Sequence, residues 1–180
     1  MKSDNELHQK KRSPLYIKLQ VKYQLCFFNK PIYKHIIADR LPRILKTHHM
    51  SLHAWCLMSD QLLMVVSKES LEKQQAFVDN FCFETSQDCY RILKNHENDD
   101  NNKINELLKQ TDNLSFHNNI WQSDYKKTVL NNDTEVLEKI NAIHRKPVVT
   151  EYVIAPKHYL YSSACNYQGI QGLIPIIKLS

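Results

Sequence analysis

Apolar residues fall at every second position through Ile17, Leu19, Val21, Tyr23 and Leu25, and the run closes on Cys26-Phe27-Phe28. A period of two, rich in β-branched and aromatic residues, predicts a strand over 16–28. Pro31 suits the first turn of a helix. Ile32, His35, Ile36, Ile37, Leu41 and Ile44 or Leu45 then recur at helical spacing. Pro42 falls inside that pattern, where a missing N–H can kink or split a helix. Two short apolar runs, 51–57 and 61–67, flank Met58-Ser59-Asp60, whose short polar side chains favour a turn. They predict a β-hairpin. Residues 71–94 read as a helix, 96–103 as a polar break, 104–108 as a short amphipathic helix and 111–119 as a second polar loop.

Apolar character returns at Ile120-Trp121-Gln122. Val136, Leu137, Ile140 and Ile143 predict a helix over 133–143, with Asp133 or Thr134 as N-cap. Lys146-Pro147-Val148-Val149 ends it, Pro156 opens another turn, and 173–179 offers a last strand. The order β-α-β-β-α, followed by further helix, predicts an α+β fold: an antiparallel sheet with helices packed on one face.

Composition narrows the class. A chain of 180 residues with 42% hydrophobic content suffices for one well-buried core. A single domain is expected over 15–180, after a flexible tail over 1–14. That tail carries Lys2, Lys10, Lys11 and Arg12 without an apolar stretch, so it is no secretory signal; a basic arm on nucleic acid is its sharper reading. No apolar run approaches the ~20 residues that cross a bilayer, so no membrane partner is expected. The net charge of +5 suits a polyanionic partner. The five cysteines are odd in number and scattered, which argues against a disulfide framework and for a cytoplasmic location. Cys26 and Cys56, inside apolar runs, read as small core residues. With glycine only at 169 and 172, no loop can cradle nucleotide phosphates.

Four blocks carry a resemblance. Trp55-Cys56-Leu57-Met58-Ser59-Asp60-Gln61-Leu62-Leu63 resembles the Trp-x-x-Met-x-Asn-His-x-His hairpin of the HUH single-strand DNA transposases. The strand and helix from Tyr23 to Leu45, the Ile120-Trp121-Gln122-Ser123-Asp124 block, and Ala142-Ile143-His144-Arg145-Lys146-Pro147-Val148 with Pro156-Lys157-His158-Tyr159-Leu160-Tyr161-Ser162-Ser163-Ala164 are similar to blocks of the REP-associated tyrosine transposase branch. The blocks span most of 23–172 in the family's order.

The resemblance implies a ferredoxin-like α+β fold and cleavage of single-stranded DNA near a hairpin. In that chemistry a tyrosine attacks a phosphate polarised by a divalent metal held by two strand histidines. Positions i and i+2 of a strand share a face, so both histidines reach one ion. Here those positions hold Gln61, at best a weak amide ligand, and Leu63, which offers no donor. The implied nucleophile position lies loosely near Glu84-Thr85-Ser86, and Tyr90, further along the same helix, is the candidate nucleophile. His48, His49 and His53 offer no complete replacement metal site, and Glu97, Asp99 and Asp100 read as solvated loop charges.

No cofactor is therefore expected, with Mg or Mn required only if the chain cuts. DNA binding can outlive catalysis because it rests on dispersed charge. Its candidate residues are Arg40, Arg43 and Lys46 on the first helix, Lys126 and Lys127, and Arg145 and Lys146, with Lys157 and His158 in the last block. Trp121 and Tyr125 could stack on unpaired bases, although Trp121 equally suits the core. The leading expectation is a transposase-related protein that binds hairpin or single-stranded DNA and does not cut it. Its rivals are an active transposase using Tyr90 and a rebuilt metal site, and a protein-interaction module without DNA contact. The family includes dimers and monomers, so a homodimer is one implied assembly.

Overall fold

The computed structural model describes residues 14–67, 72–95 and 120–179. The basic tail, the polar segments 96–103 and 111–119 and the short helix expected over 104–108 lie outside them, apart from Pro14.

The elements follow the chain as β1 (Leu15–Gln20), α1 (Pro31–Thr47), β2 (Ser51–Leu57), β3 (Gln61–Ser67), α2 (Glu72–Asn95), β4 (Lys126–Val129), α3 (Asp133–Val149) and a one-turn α4 (Ala164–Tyr167). The four strands form one antiparallel sheet in the order β2-β3-β1-β4. A β-α-β-β-α-β chain in that order is the ferredoxin-like arrangement.

β1 ends eight residues short of the expected strand. Gln20 pairs with Gln61, the first residue of β3, so no further β3 partner is available beyond it. The Val21 N–H instead bonds Asp60 O at 2.8 Å, and Lys22 N–H bonds Ile120 O at 2.9 Å. Tyr23 and Gln24 then turn left-handed, at φ 56° and 54°. This turn buries Phe27 and Phe28 but leaves Cys26 exposed, so only Cys56 of the two expected core cysteines is one. The five cysteines are all free thiols.

The helices outlast their prolines. α1 runs through Pro42 and α3 through Pro147. Each proline removes one helical N–H, but buried neighbours on the same turns, Leu41, Ile44 and Leu45 or Ile143 and His144, hold the helix to the sheet. The N-cap of α3 is Asn132 and not the expected Asp133 or Thr134: its side chain accepts from Glu135 N–H at 2.9 Å, while the Glu135 carboxylate accepts from Asn131 N–H at 2.9 Å. This is the reciprocal logic of a capping box. The tail forms no strand, yet Ile177 N–H bonds Leu52 O at 2.9 Å along the outer edge of β2.

Register assigns side chains to faces, because directly paired residues point to the same side. Leu15, Ile17 and Leu19 of β1 share the first face with Leu62, Met64 and Val66 of β3 and with Trp55 and Leu57 of β2. α1 and α2 pack side by side on this face, with Ile37, Leu41, Phe77 and Phe81 fully buried. They are the helices expected on one side of the sheet. The second face carries Tyr16, Lys18 and Gln20, with Gln61, Leu63 and Val65, and Cys56. α3 lies over it: Lys139 Nζ sits 4.6 Å from the Tyr16 ring centroid.

Candidate nucleic-acid interface

Gln61 and Leu63 open β3 on the second face, two residues apart and side by side. Gln61 pairs with Gln20. Leu63 pairs with Cys56 on one side and Lys18 on the other, and Lys18 pairs in turn with Lys126 of β4. Leu63 is only 6% exposed. Burial in apolar surroundings pushes the Cys56 thiol up to about 12, so it is protonated at neutral pH and no thiolate ligand.

A divalent metal does not fit these residues. Mg²⁺ and Mn²⁺ want several oxygen or imidazole donors, and this row offers a leucine, a protonated thiol and two ammonium groups, with amides beside it. The upstream histidines do not repair it. His53 is buried, with Nδ1 2.7 Å from Ile177 O and Nε2 2.7 Å from Ser67 Oγ, which occupies both ring nitrogens. His48 is 3.3 Å from the Asn80 amide and packs edge-on to Phe77. Among the described residues no group of three or more His, Cys, Asp or Glu is gathered where it could hold an ion.

Tyr90 is half-buried on α2. That helix covers the first face, so the sheet stands between Tyr90 and the positions of Gln61 and Leu63. The three residues singled out around the nucleophile position have structural partners. Glu84 and Asp88 accept from Arg40 of α1, at 3.3 and 2.5 Å. Thr85 Oγ1 accepts the Trp121 indole N–H at 3.0 Å, and Ser86 Oγ accepts Ile120 N–H at 2.9 Å.

The basic candidates do not form one patch. Arg40 ties α1 to α2, and Arg43 pairs with Asp39 at 2.8 Å. Lys46 is exposed at the end of α1. Trp121 is a core residue and has no face for a base: it is fully buried, with ring centroids 5.2 Å from Phe28 and 6.0 Å from Phe81. Tyr125 and Lys127 belong to the α2 side, with Tyr125 Oη donating to Gln75 at 2.7 Å and Lys127 Nζ 5.9 Å from the Tyr125 ring. Arg145, Lys157 and His158 are exposed. Lys126 and Lys146 share the second face, with Gln61 and two lysines that sequence reading missed, Lys18 and Lys139. Lys18 was hidden inside a strand pattern, where only its alternation with buried residues marked it.

The last two blocks meet at the outer edge of β2. Ser163 N–H bonds Trp55 O at 3.0 Å, Trp55 N–H bonds Ser163 Oγ at 2.9 Å, and that hydroxyl also lies 2.8 Å from His144 Nε2. Tyr159 Oη donates to Leu57 O at 2.8 Å. Beside it Lys34 of α1, 7% exposed, donates to Tyr159 Oη at 3.0 Å, with the rings of Tyr152, Tyr159 and Tyr161 at 5.9, 5.3 and 4.9 Å. Burial lowers the Lys34 pKa, and cation–π attraction to the three rings offsets part of that penalty.

No protein-family model matches the chain, and no curated protein matches it in sequence. Solved structures do. A REP-associated tyrosine transposase, solved bound to a REP hairpin, superposes with a TM-score of 0.55 at 10% identity, covering 99% of this chain and 96% of that one. A protein provisionally described as a transposase, from Deinococcus radiodurans R1, gives a TM-score of 0.47 at 12% identity, covering 79% of this chain and 95% of that one. The chain therefore has the fold of the REP-associated tyrosine transposase, as its sequence blocks imply.

Proposed function

We propose that this chain is a transposase-related protein that binds hairpin or single-stranded DNA without cutting it. The observation that carries this reading is the row Cys56–Leu63–Lys18–Lys126 on the second face. Within a transposase fold, the two positions where the chemistry needs metal donors hold Gln61 and the buried Leu63, and Lys18 stands beside Leu63. The HUH motif is then degenerate, and no metal or other cofactor is required.

The fold's partner class enters by likeness: the similar transposase was solved on a REP hairpin. The net charge of +5 fits the same class of ligand. Hairpin-bearing single-stranded DNA, titrated by fluorescence anisotropy at rising salt, tests the binding half. Salt-sensitive binding supports it, and no binding at low salt removes it in favour of a protein-interaction role. The rival reading of an active transposase must bring Tyr90 and a metal to one side of the sheet. Cleavage of the same DNA with Mn²⁺, lost on Tyr90→Phe, would establish that rival. A homodimer and a cytoplasmic location accompany the proposal as expectations of the same reading.

A further inference from the structure

We infer that Lys18 and Lys126 form a metal-independent seat for a backbone phosphate of single-stranded nucleic acid, with Gln20 and Gln61 as neutral donors beside them. The inference rests on the DNA-binding reading and names where on the fold the strand is gripped.

The first ground is the pairing itself. Lys18 and Lys126 are direct cross-strand partners on one face, so their Cβ atoms lie about 5 Å apart. Like charges in that position repel. Neither lysine makes an ion pair among the described residues. A lysine on β4 has a second explanation, since charged side chains protect sheet edges from pairing with other chains. Lys18 has no such explanation. It stands on β1, an interior strand flanked by β3 and β4, on the face where its β3 partner is the buried Leu63.

The second ground is the surrounding charge. Lys139 reaches the same face over Tyr16, and Lys146 follows it by seven residues, about two turns along the same side of α3. Of the acids on α3, Glu135 is engaged in capping the helix. Four ammonium groups thus share a face with two amide side chains, since Gln20 and Gln61 are paired one step along the same strands. Amides donate hydrogen bonds to phosphate oxygens, and ammonium groups supply charge. The chemistry is that of a phosphodiester seat. The positive charge comes from fixed lysines and not from an exchangeable ion, so EDTA should leave binding intact.

The test uses the full chain and a fluorescent hairpin with a single-stranded flank, in EDTA, over a salt series. Lys18→Gln with Lys126→Gln is expected to weaken binding about tenfold near 0.1 M salt and to reduce the salt slope by about 0.7, the share of one phosphate on a single strand. Lys18→Arg with Lys126→Arg should bind within about twofold of the parent. Lys94→Gln, an exposed lysine on α2, should leave the slope unchanged. Without DNA, the double Gln variant should melt about 1–2 °C higher, because the repulsion is gone. Unchanged affinity and slope in the double Gln variant, with binding by the parent, would overturn the lysine seat and leave the DNA reading standing. Equal loss in the Arg and Gln variants, or a lower melting temperature in the Gln variant, would make the pair structural and overturn it as well. Failure of the parent to bind would remove both.

Discussion

Trp121 donates its indole N–H to Thr85 Oγ1 at 3.0 Å, and both side chains are fully buried. The bond ties the segment before β4 to the middle of α2. It also accounts for two sequence features at once. The Trp-Gln block and the Thr-Ser pair are the two halves of one clamp, completed by Ile120 N–H on Ser86 Oγ.

Thr85→Val keeps the volume and removes the hydroxyl that accepts the buried indole N–H. The expected loss is about 1–3 kcal/mol of stability, read as a lower urea midpoint with an unchanged m-value. An unchanged midpoint would mean that the clamp does not hold these segments together.

Arg40→Gln separates the two uses of a basic residue. Arg40 is held by Glu84 and Asp88, and its side chain is about one-third exposed. The variant should lose about 1 kcal/mol of stability, with the exposure keeping the figure low. It should leave the salt slope of DNA binding unaltered. A slope reduced by about 0.7 would show that this arginine neutralises a phosphate.

Acid should loosen the fold through two buried histidines. Burial holds His144 down at about 4 and lowers His53 as well. Between about pH 6.5 and pH 4 the unfolded chain binds more protons than the folded one. Stability is therefore complete above the unfolded value and is lost as pH falls. His144 alone should account for about 2 kcal/mol between pH 7 and pH 5. Denaturation midpoints at those two values check it, and His144→Asn should flatten the difference. A midpoint that rose on acidification would contradict the buried neutral rings.

Placing histidines at positions 61 and 63 should not produce cutting. Gln61→His with Leu63→His puts two imidazoles on one face of β3, but Lys18 stands opposite Leu63, and Tyr90 is on the helix across the sheet. Introducing an imidazole at a site that is 6% exposed should cost about 1–3 kcal/mol. Thermal melts and a Mn²⁺ cleavage gel check both halves, and metal-dependent nicking by this variant would refute the opposed geometry.

Much of the fold was legible because it rests on local patterns. The hairpin 51–57 and 61–67 and helices α1, α2 and α3 follow from apolar spacing and turn chemistry. β4 was not legible: its four residues are all exposed, so Lys126-Lys127-Thr128-Val129 carries no hydrophobic alternation. The ends of β1 and α3 depended on where a partner strand stopped and on packing around Pro147, neither of which is local. The site was legible in part. The residues at positions 61 and 63 could be read directly. That Arg40 is tied up, that Trp121 is core and that Lys18 faces Lys126 are facts of tertiary placement and sheet register. The two strands β1 and β4 are more than a hundred residues apart, and no local signal announces their pairing.

The central claim is binding without cleavage, and a single gel with a matched anisotropy titration tests it. Hairpin-bearing single-stranded DNA is incubated with the protein in EDTA and in Mn²⁺. The account predicts salt-sensitive binding of equal strength in both, with the DNA intact and no covalent protein–DNA species. Mn²⁺-dependent cleavage with a tyrosine-linked product, abolished by Tyr90→Phe, would contradict it.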